Sequence, residues 1–231
     1  MYFVTGVSRG LGKAIALTLL ENGHAVTGIG RSHSIEHSSF TFISCDLSDR
    51  SAIDQLEIPV PSDPITLINN AGILGEIGRL SEQKPLDLAE VLAVNTVAPT
   101  LLTTKVYNQV SDKNVFSLVN ISSGAANRAI PSWAAYCASK AALNMLSEAF
   151  FLEERELGFC PKVYAVAPGV IDTDMQGQIR STSEEQFSAV QNFIEMKEND
   201  ALFSSEEAAQ KLLLLLEKPY DDTVFYDLRS V

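Results

Sequence analysis

The sequence predicts an α/β fold: a doubly wound, seven-stranded parallel sheet with helices on both faces, built as a single domain over residues 1–231. Three observations predict it. Short apolar runs of β type alternate with helix-period segments along the whole chain, the pattern of a parallel sheet covered on two sides. The first strand runs straight into a glycine-rich turn, Thr5-Gly6-Val7-Ser8-Arg9-Gly10-Leu11-Gly12, that opens a helix. The 231 residues, 46% hydrophobic and 20% charged, suffice for one substantial core and fall short of two independent catalytic domains.

Taken in order, strands are expected at residues 2–5, 25–29, 40–45, 65–69, 116–121, 163–167 and 224–226. After the first, residues 11–21 carry apolar side chains at helical spacing, and Gly23 follows where a C-terminal cap belongs. Long helices are predicted over about 86–110 and 133–157, and a last one over about 206–217. Residues 31–39, rich in Ser and His, are all that separates the second and third strands. A parallel crossover usually takes a dozen or more residues, so this one should lack a proper helix. Residues 171–200 are long, helix-forming and inserted before the last helix, a position that suits a lid over an active site.

The chain carries 17 Lys and Arg against 29 Asp and Glu, a formal net charge of -12. A nucleic-acid partner is not expected, because a phosphate-binding surface needs clustered basic residues. Cys45, Cys137 and Cys160 are odd in number, far apart and without C-x-x-C spacing, so neither a disulfide framework nor a metal site is expected. No apolar stretch is read as reaching the roughly 18 residues of a bilayer crossing. The first strand follows Met1 at once, which leaves no room for a cleavable leader. A cytoplasmic protein without a membrane partner is the expectation.

The glycine turn carries the first piece of chemistry. Glycines allow a tight turn and let backbone N–H groups approach a pyrophosphate, while the start of the helix adds partial positive charge. With a strand before it and a helix after it, the turn has the context a dinucleotide site requires. The second strand ends at Gly30-Arg31-Ser32, where an NAD-selective site would place an acid for the ribose hydroxyls. Arg31 instead suits the 2′-phosphate of NADP, and Ser8 and Arg9 can reach the same group, so NADPH/NADP+ is the expected cofactor. Asp46, followed by Leu47 after the third strand, could accept a hydrogen bond from the adenine amino group or, with Ser48, cap the next helix.

Tyr136 and Lys140 stand at i and i+4, on one face of a predicted helix. A free tyrosine, with a pKa of about 10, is a poor acid near neutrality. A neighbouring Lys and an oxidised nicotinamide stabilise phenolate, so Tyr136 could donate its proton to a carbonyl oxygen as hydride reaches the carbon. Ser123, at the end of the fifth strand, could hydrogen-bond the same oxygen.

Read together, these segments resemble the short-chain dehydrogenase/reductase family, with its Rossmann-type fold, over nearly the whole chain. The turn from Thr5 to Gly12 resembles the family's cofactor turn, and Asn69-Asn70-Ala71-Gly72 its fourth-strand motif. Asn95 sits in Val94-Asn95-Thr96, where the family keeps an asparagine; Ser123, Tyr136 and Lys140 match its catalytic positions. Pro168 and Gly169, through Val170 and Ile171 to Thr173, resemble the loop that holds the nicotinamide carboxamide. By that resemblance Asn95 would bind a water linking Lys140 to solvent; it also suits a helix kink held by a side-chain hydrogen bond. Asn70, Ala71 and Gly72, with Tyr136 and Lys140, would line the ribose and nicotinamide.

The C-terminal third, with Asp172-Thr173-Asp174-Met175, Phe193-Ile194 and Phe225-Tyr226-Asp227, resembles the sepiapterin reductase and benzil reductase branch. That branch implies a ketone flanked by an oxygen substituent. The pterin enzymes keep an acid just ahead of the terminal aromatic pair, and Val224 is read as occupying that place here, which favours an apolar α-diketone. Trp133 and Met175 would supply an apolar wall. A pterin side-chain ketone reductase and a non-catalytic NADPH-sensing protein are the competing readings. Small residues at Ala135, Ala138, Ala142 and Ala149 would permit close helix packing, and a homodimer, or a tetramer, is expected.

Overall fold

The computed structural model describes residues 1–61 and 64–231. Among these, seven strands form one parallel sheet in the order β3-β2-β1-β4-β5-β6-β7: β1 (Tyr2–Thr5), β2 (Val26–Gly30), β3 (Phe40–Ser44), β4 (Ile65–Asn69), β5 (Phe116–Ile121), β6 (Lys162–Ala167) and β7 (Phe225–Asp227). The predicted strands all form, with ends shifted by a residue. The order reverses between β1 and β4, and the crevice outside the carboxyl ends of strands at such a switch is where ligands bind in open α/β sheets.

Helices α1 (Gly10–Glu21) and α8 (Ser205–Glu217) pack together on one face, over Val4, Val26, Ile68 and Val119. Helices α2 (Arg50–Gln55), α4 (Ala98–Tyr107) and α5 (Ala134–Glu156) cover the other, over Phe3, Leu67, Phe116 and Leu118. Every residue of β2 is buried, as expected of a strand covered on both faces. β3 is only half covered, because residues 31–39 cross without a helix as the loop length predicts. His33 stacks over Phe42 in its place, with ring centroids 4.4 Å apart. α8 starts with a capping box, Ser204 and Glu207 each bonding the other's backbone N–H.

The helix predicted over 86–110 is not uniform. It runs as α3 (Pro85–Leu92), a π-helical turn at Ala93–Val97, then α4. Contrary to the sequence expectation, the 23 residues Pro85–Tyr107 are together long and apolar enough to cross a membrane by length and composition. Val91, Ala98, Leu102 and Val106 among them pack into the protein interior, while Leu86, Leu92 and Val97 are exposed. The segment 171–200 contains two helices, α6 (Asp174–Arg180) and α7 (Val190–Glu198).

Candidate active site

The glycine turn leaves β1 at the switch point and is bound to the end of β4. The Thr5 hydroxyl oxygen accepts from the backbone N–H groups of Asn70 and Ala71, each at 2.9 Å, and the Asn70 amide donates to the Thr5 carbonyl at 2.9 Å. Gly12 has no room for a side chain: a Cβ there would lie 2.3 Å from both Asn70 Nδ2 and the Gly6 carbonyl oxygen. Gly6, at φ +73°, adopts a backbone that L residues rarely take. The first turn of α1 has no side-chain cap and no acid, so its N–H groups face the crevice for an anionic ligand. Ser8, Arg9, Arg31 and Ser32 are exposed, while Leu11 and Leu47 are buried beneath. A cradle without side chains, bare helix N–H groups and two exposed guanidiniums fit a phosphorylated dinucleotide.

One reading at this end needs correction. Asp46 does not cap α2; Asp49 does, accepting from the N–H groups of Ser51 and Ala52. Asp46 accepts instead from the Ser48 N–H (2.9 Å) and hydroxyl (2.8 Å), which with Arg31 nearby hold its carboxyl below the usual range. Arg9 forms a 3.0 Å ion pair, open to solvent, with Asp174 at the start of α6. Beside it, a Cβ on Gly10 would touch the Thr173 side chain at 3.4 Å, so the glycine turn abuts the start of the 171–200 segment. Residues from Pro168 to Asp172 are pinned by Phe203: its N–H donates to the Val170 carbonyl at 3.0 Å, its carbonyl accepts from Asp172 at 2.9 Å, and Ile171 pairs with it. Gly169 turns at φ +81° against the Phe203 ring.

The fold gathers the four residues singled out for catalysis. Ser123 follows β5, its hydroxyl oxygen accepts from the Ala125 N–H at 3.1 Å, and it lies on the side of the Tyr136 phenol, in the first turn of α5, where it favours the phenolate. Burial pushes the Tyr136 pKa up, the Ser123 hydroxyl opposes this, and the sequence expectation of a depressed value does not hold for the protein alone. Lys140, one turn on, is 4% exposed; burial lowers its pKa to about 8. Its Nζ donates to the Ile121 carbonyl at 2.7 Å and lies 5.8 Å from the Tyr136 ring centroid. A Cβ on Gly72 would sit 3.4 Å from that Nζ and 3.3 Å from Asn95 Oδ1, so the β4 loop passes directly beside the lysine.

Asn95 is fully buried in the π-helical turn, and its side chain is spent on protein. Oδ1 accepts from the Ile73 N–H at 2.8 Å; Nδ2 donates to the Ile73 carbonyl at 2.8 Å and to Ser139 Oγ at 3.0 Å. The amide thus holds the kink the sequence allowed. Ser139, which sequence reasoning passed over, donates to the Tyr136 carbonyl at 2.8 Å, and Thr96 donates to the Ser139 carbonyl at 3.1 Å. The π turn and the helix bearing Tyr136 and Lys140 are therefore bolted together at Ser139. Asn69 to Asn120 (2.8 Å) and Asn120 to Ser147 (2.8 Å) fasten the same helix to the sheet.

Above Tyr136 lies an apolar cluster of Leu74, Ile77, Ala125, Trp133, Ile179, Phe187 and Val190, with Met175 and Phe193 against it. Trp133 and Met175 were expected here; Phe187 and Phe193 were not, and both come from the 171–200 segment. Val224, by contrast, is not part of this site. It packs among Val163 and Ala165 under the sheet, and a carboxylate, Asp227 held by Arg229, stands at the carboxyl end of β7 instead. The residue at 224 therefore says nothing about the pocket.

The sequence pattern described as short chain dehydrogenase matches residues 1–184. A benzil reductase ((S)-benzoin forming) of Bacillus subtilis is 37% identical over 241 residues, covering 100% of this chain and 98% of that protein. The sepiapterin reductase of Rattus norvegicus is 34% identical, covering 93% of this chain and 90% of that one. Among solved structures, a short chain dehydrogenase/reductase of Saccharomyces cerevisiae superposes with a TM-score of 0.80 at 28% identity, over 98% of this chain and 95% of that one.

Proposed function

The chain belongs to the short-chain dehydrogenase family, whose oxidoreductases use a nicotinamide cofactor, and from that premise we propose that it is an NADPH-dependent carbonyl reductase acting on an α-diketone. The observation that carries this reading is the buried Tyr136 with the equally buried Lys140 one helical turn on, its Nζ 5.8 Å from the Tyr136 ring centroid and held by the Ile121 carbonyl two residues before Ser123. Gly6, Gly10 and Gly12 would admit the pyrophosphate, Arg9, Ser8 and Arg31 with Ser32 the 2′-phosphate, and Asp46 and Leu47 the adenine. Asn70, Ala71, Gly72 and the stretch from Pro168 to Thr173 would hold the nicotinamide end. When bound, the reduced cofactor supplies hydride to the carbonyl carbon.

The protein's part is to manage the oxygen. Tyr136, kept protonated by burial, donates its proton as negative charge develops on that oxygen, and the Ser123 hydroxyl donates a second hydrogen bond to it. Lys140 then stabilises the phenolate left behind. Asn95 acts through Ser139 to fix the helix that carries both. Residues 171–200 serve as the lid, placing Met175, Phe187 and Phe193 against the substrate.

The diketone is favoured by the apolar wall around Trp133 and by the similarity to benzil reductases. Incubation with NADPH and benzil, and in parallel with sepiapterin, followed at the cofactor absorbance band, tests the reading. Benzil should be consumed; turnover of sepiapterin alone would refute the diketone. The exposed Met145 and Leu152 on the outer face of α5 favour a homodimer, which sedimentation would resolve from a monomer. The locale proposed is the cytoplasm.

A further inference from the structure

We propose that the indole N–H of Trp133 is a specificity-determining donor, taking the second oxygen of an α-dicarbonyl or α-hydroxy ketone while Tyr136 takes the first; this rests on the carbonyl-reductase reading above. Trp133 Nε1 is buried without a hydrogen-bond partner in a side chain only 7% exposed. Buried polar groups are nearly always paired, and an orphaned donor is costly. A phenylalanine would fill the same apolar cluster with no donor to strand. The tryptophan is therefore explained by a partner that arrives with the ligand.

Its placement identifies that partner. Trp133 immediately precedes α5, three residues before Tyr136, and its ring stands edge-on to the phenol with centroids 5.8 Å apart. The two side chains line one small cavity of about 10 Å³ with Leu74 and Val91. That is room for a single water and no more. Phe187 stacks on the indole at 5.2 Å and Phe193 packs at 5.4 Å, both from the lid segment. A ketone thus reaches the N–H by displacing these rings, and its own aromatic or alkyl group replaces their contacts. A simple ketone has one oxygen, which Tyr136 and Ser123 claim, and it leaves the indole stranded. A vicinal oxygen lies beside the first and completes the set. Sites built to hydrogen-bond a substrate group discriminate strongly against analogues lacking it.

Glu76, Gln83 and Asp87 line the same cavity, so the rival role for the N–H is a water bridge to one of them. Trp133→Phe separates the two, with benzil and deoxybenzoin as substrates, the second being the same skeleton without its second oxygen. The ratio of kcat/KM for benzil to that for deoxybenzoin should fall roughly tenfold to a hundredfold, over and above whatever the altered apolar wall takes from both. Because the chain has one tryptophan, the indole N–H gives a single resonance in a 15N-labelled sample. It should move well downfield on adding benzil and show no such downfield move with deoxybenzoin, whose rings alone perturb it. Equal losses on both ketones, or a resonance that ignores benzil, would mark a water-bridging or packing role and overturn the proposal. A wild-type protein that reduces neither ketone would overturn the underlying reading as well.

Discussion

Lys140 should make the protein less stable at neutral pH than it would be with an apolar side chain, and by an amount that depends on pH. Burial lowers its pKa from 10.5 to about 8. Below about 8 the lysine is charged in both folded and unfolded chains, and folding bears the whole desolvation penalty. Between about 8 and 10.5 the unfolded chain retains a proton that the folded chain has released, so stability rises with pH. At about 1.4 kcal/mol per pKa unit, wild type should gain about 2.5 kcal/mol relative to Lys140→Met between pH 7 and pH 10. Groups that titrate alike in both proteins cancel in this difference. The assay is urea unfolding of the cofactor-free proteins at the two pH values, followed by Trp133 emission, with the Met variant lacking reductase activity throughout. A wild-type-to-variant gap of the same size at pH 7 and pH 10 would refute the assignment of a strongly desolvated lysine.

Three further substitutions probe the rest of the site. Gly12→Ala forces a Cβ to within 2.3 Å of Asn70 Nδ2 and the Gly6 carbonyl oxygen, and should cost about 1–3 kcal/mol of stability while abolishing dinucleotide binding, read by urea unfolding and by titration with NADPH. Arg31→Asp should lower the preference for NADPH over NADH by about tenfold to a hundredfold, as the ratio of kcat/KM values. Ser139→Ala removes the acceptor of one Asn95 Nδ2–H, the bonds to Ile73 remaining, and should destabilise by about 1–3 kcal/mol with a fall in kcat; Ser139→Thr, which keeps the hydroxyl, should restore both.

Most of the fold was legible because its signals are local. Short apolar runs marked the seven strands, and the length of residues 31–39 alone ruled out a crossover helix. The glycine turn and the Tyr136–Lys140 spacing carried their own geometry. What escaped depends on contacts between distant segments. No periodicity distinguishes the π turn at Asn95 from ordinary helix, since the partners that hold it, Ile73 and Ser139, come from a loop and another helix. Phe187 and Phe193 look like ordinary apolar residues until the 171–200 segment folds back over Trp133. Asp46 was read as a possible cap because Ser48 follows it, but α2 starts three residues further on and Asp49 caps it. Val224 was misplaced because counting back from an aromatic pair does not reveal where along β7 the carboxyl end lies.

The helix-free crossover between β2 and β3 has an evolutionary reading. Arg31 and its loop leave from β2 toward one rim of the sheet, with β1 and β4 between β2 and the strand that presents Ser123. Ile35 of that loop packs in the same core cluster as Val119 and Ile121 of β5, so drift that keeps Ile35 would alter the exposed Arg31 and Ser32 while leaving the strand that presents Ser123 supported. On the role proposed for Arg31, lineages descended from such a protein would be free to trade one nucleotide pool for another at the exposed positions of that loop, keeping the proposed ketone chemistry as inherited.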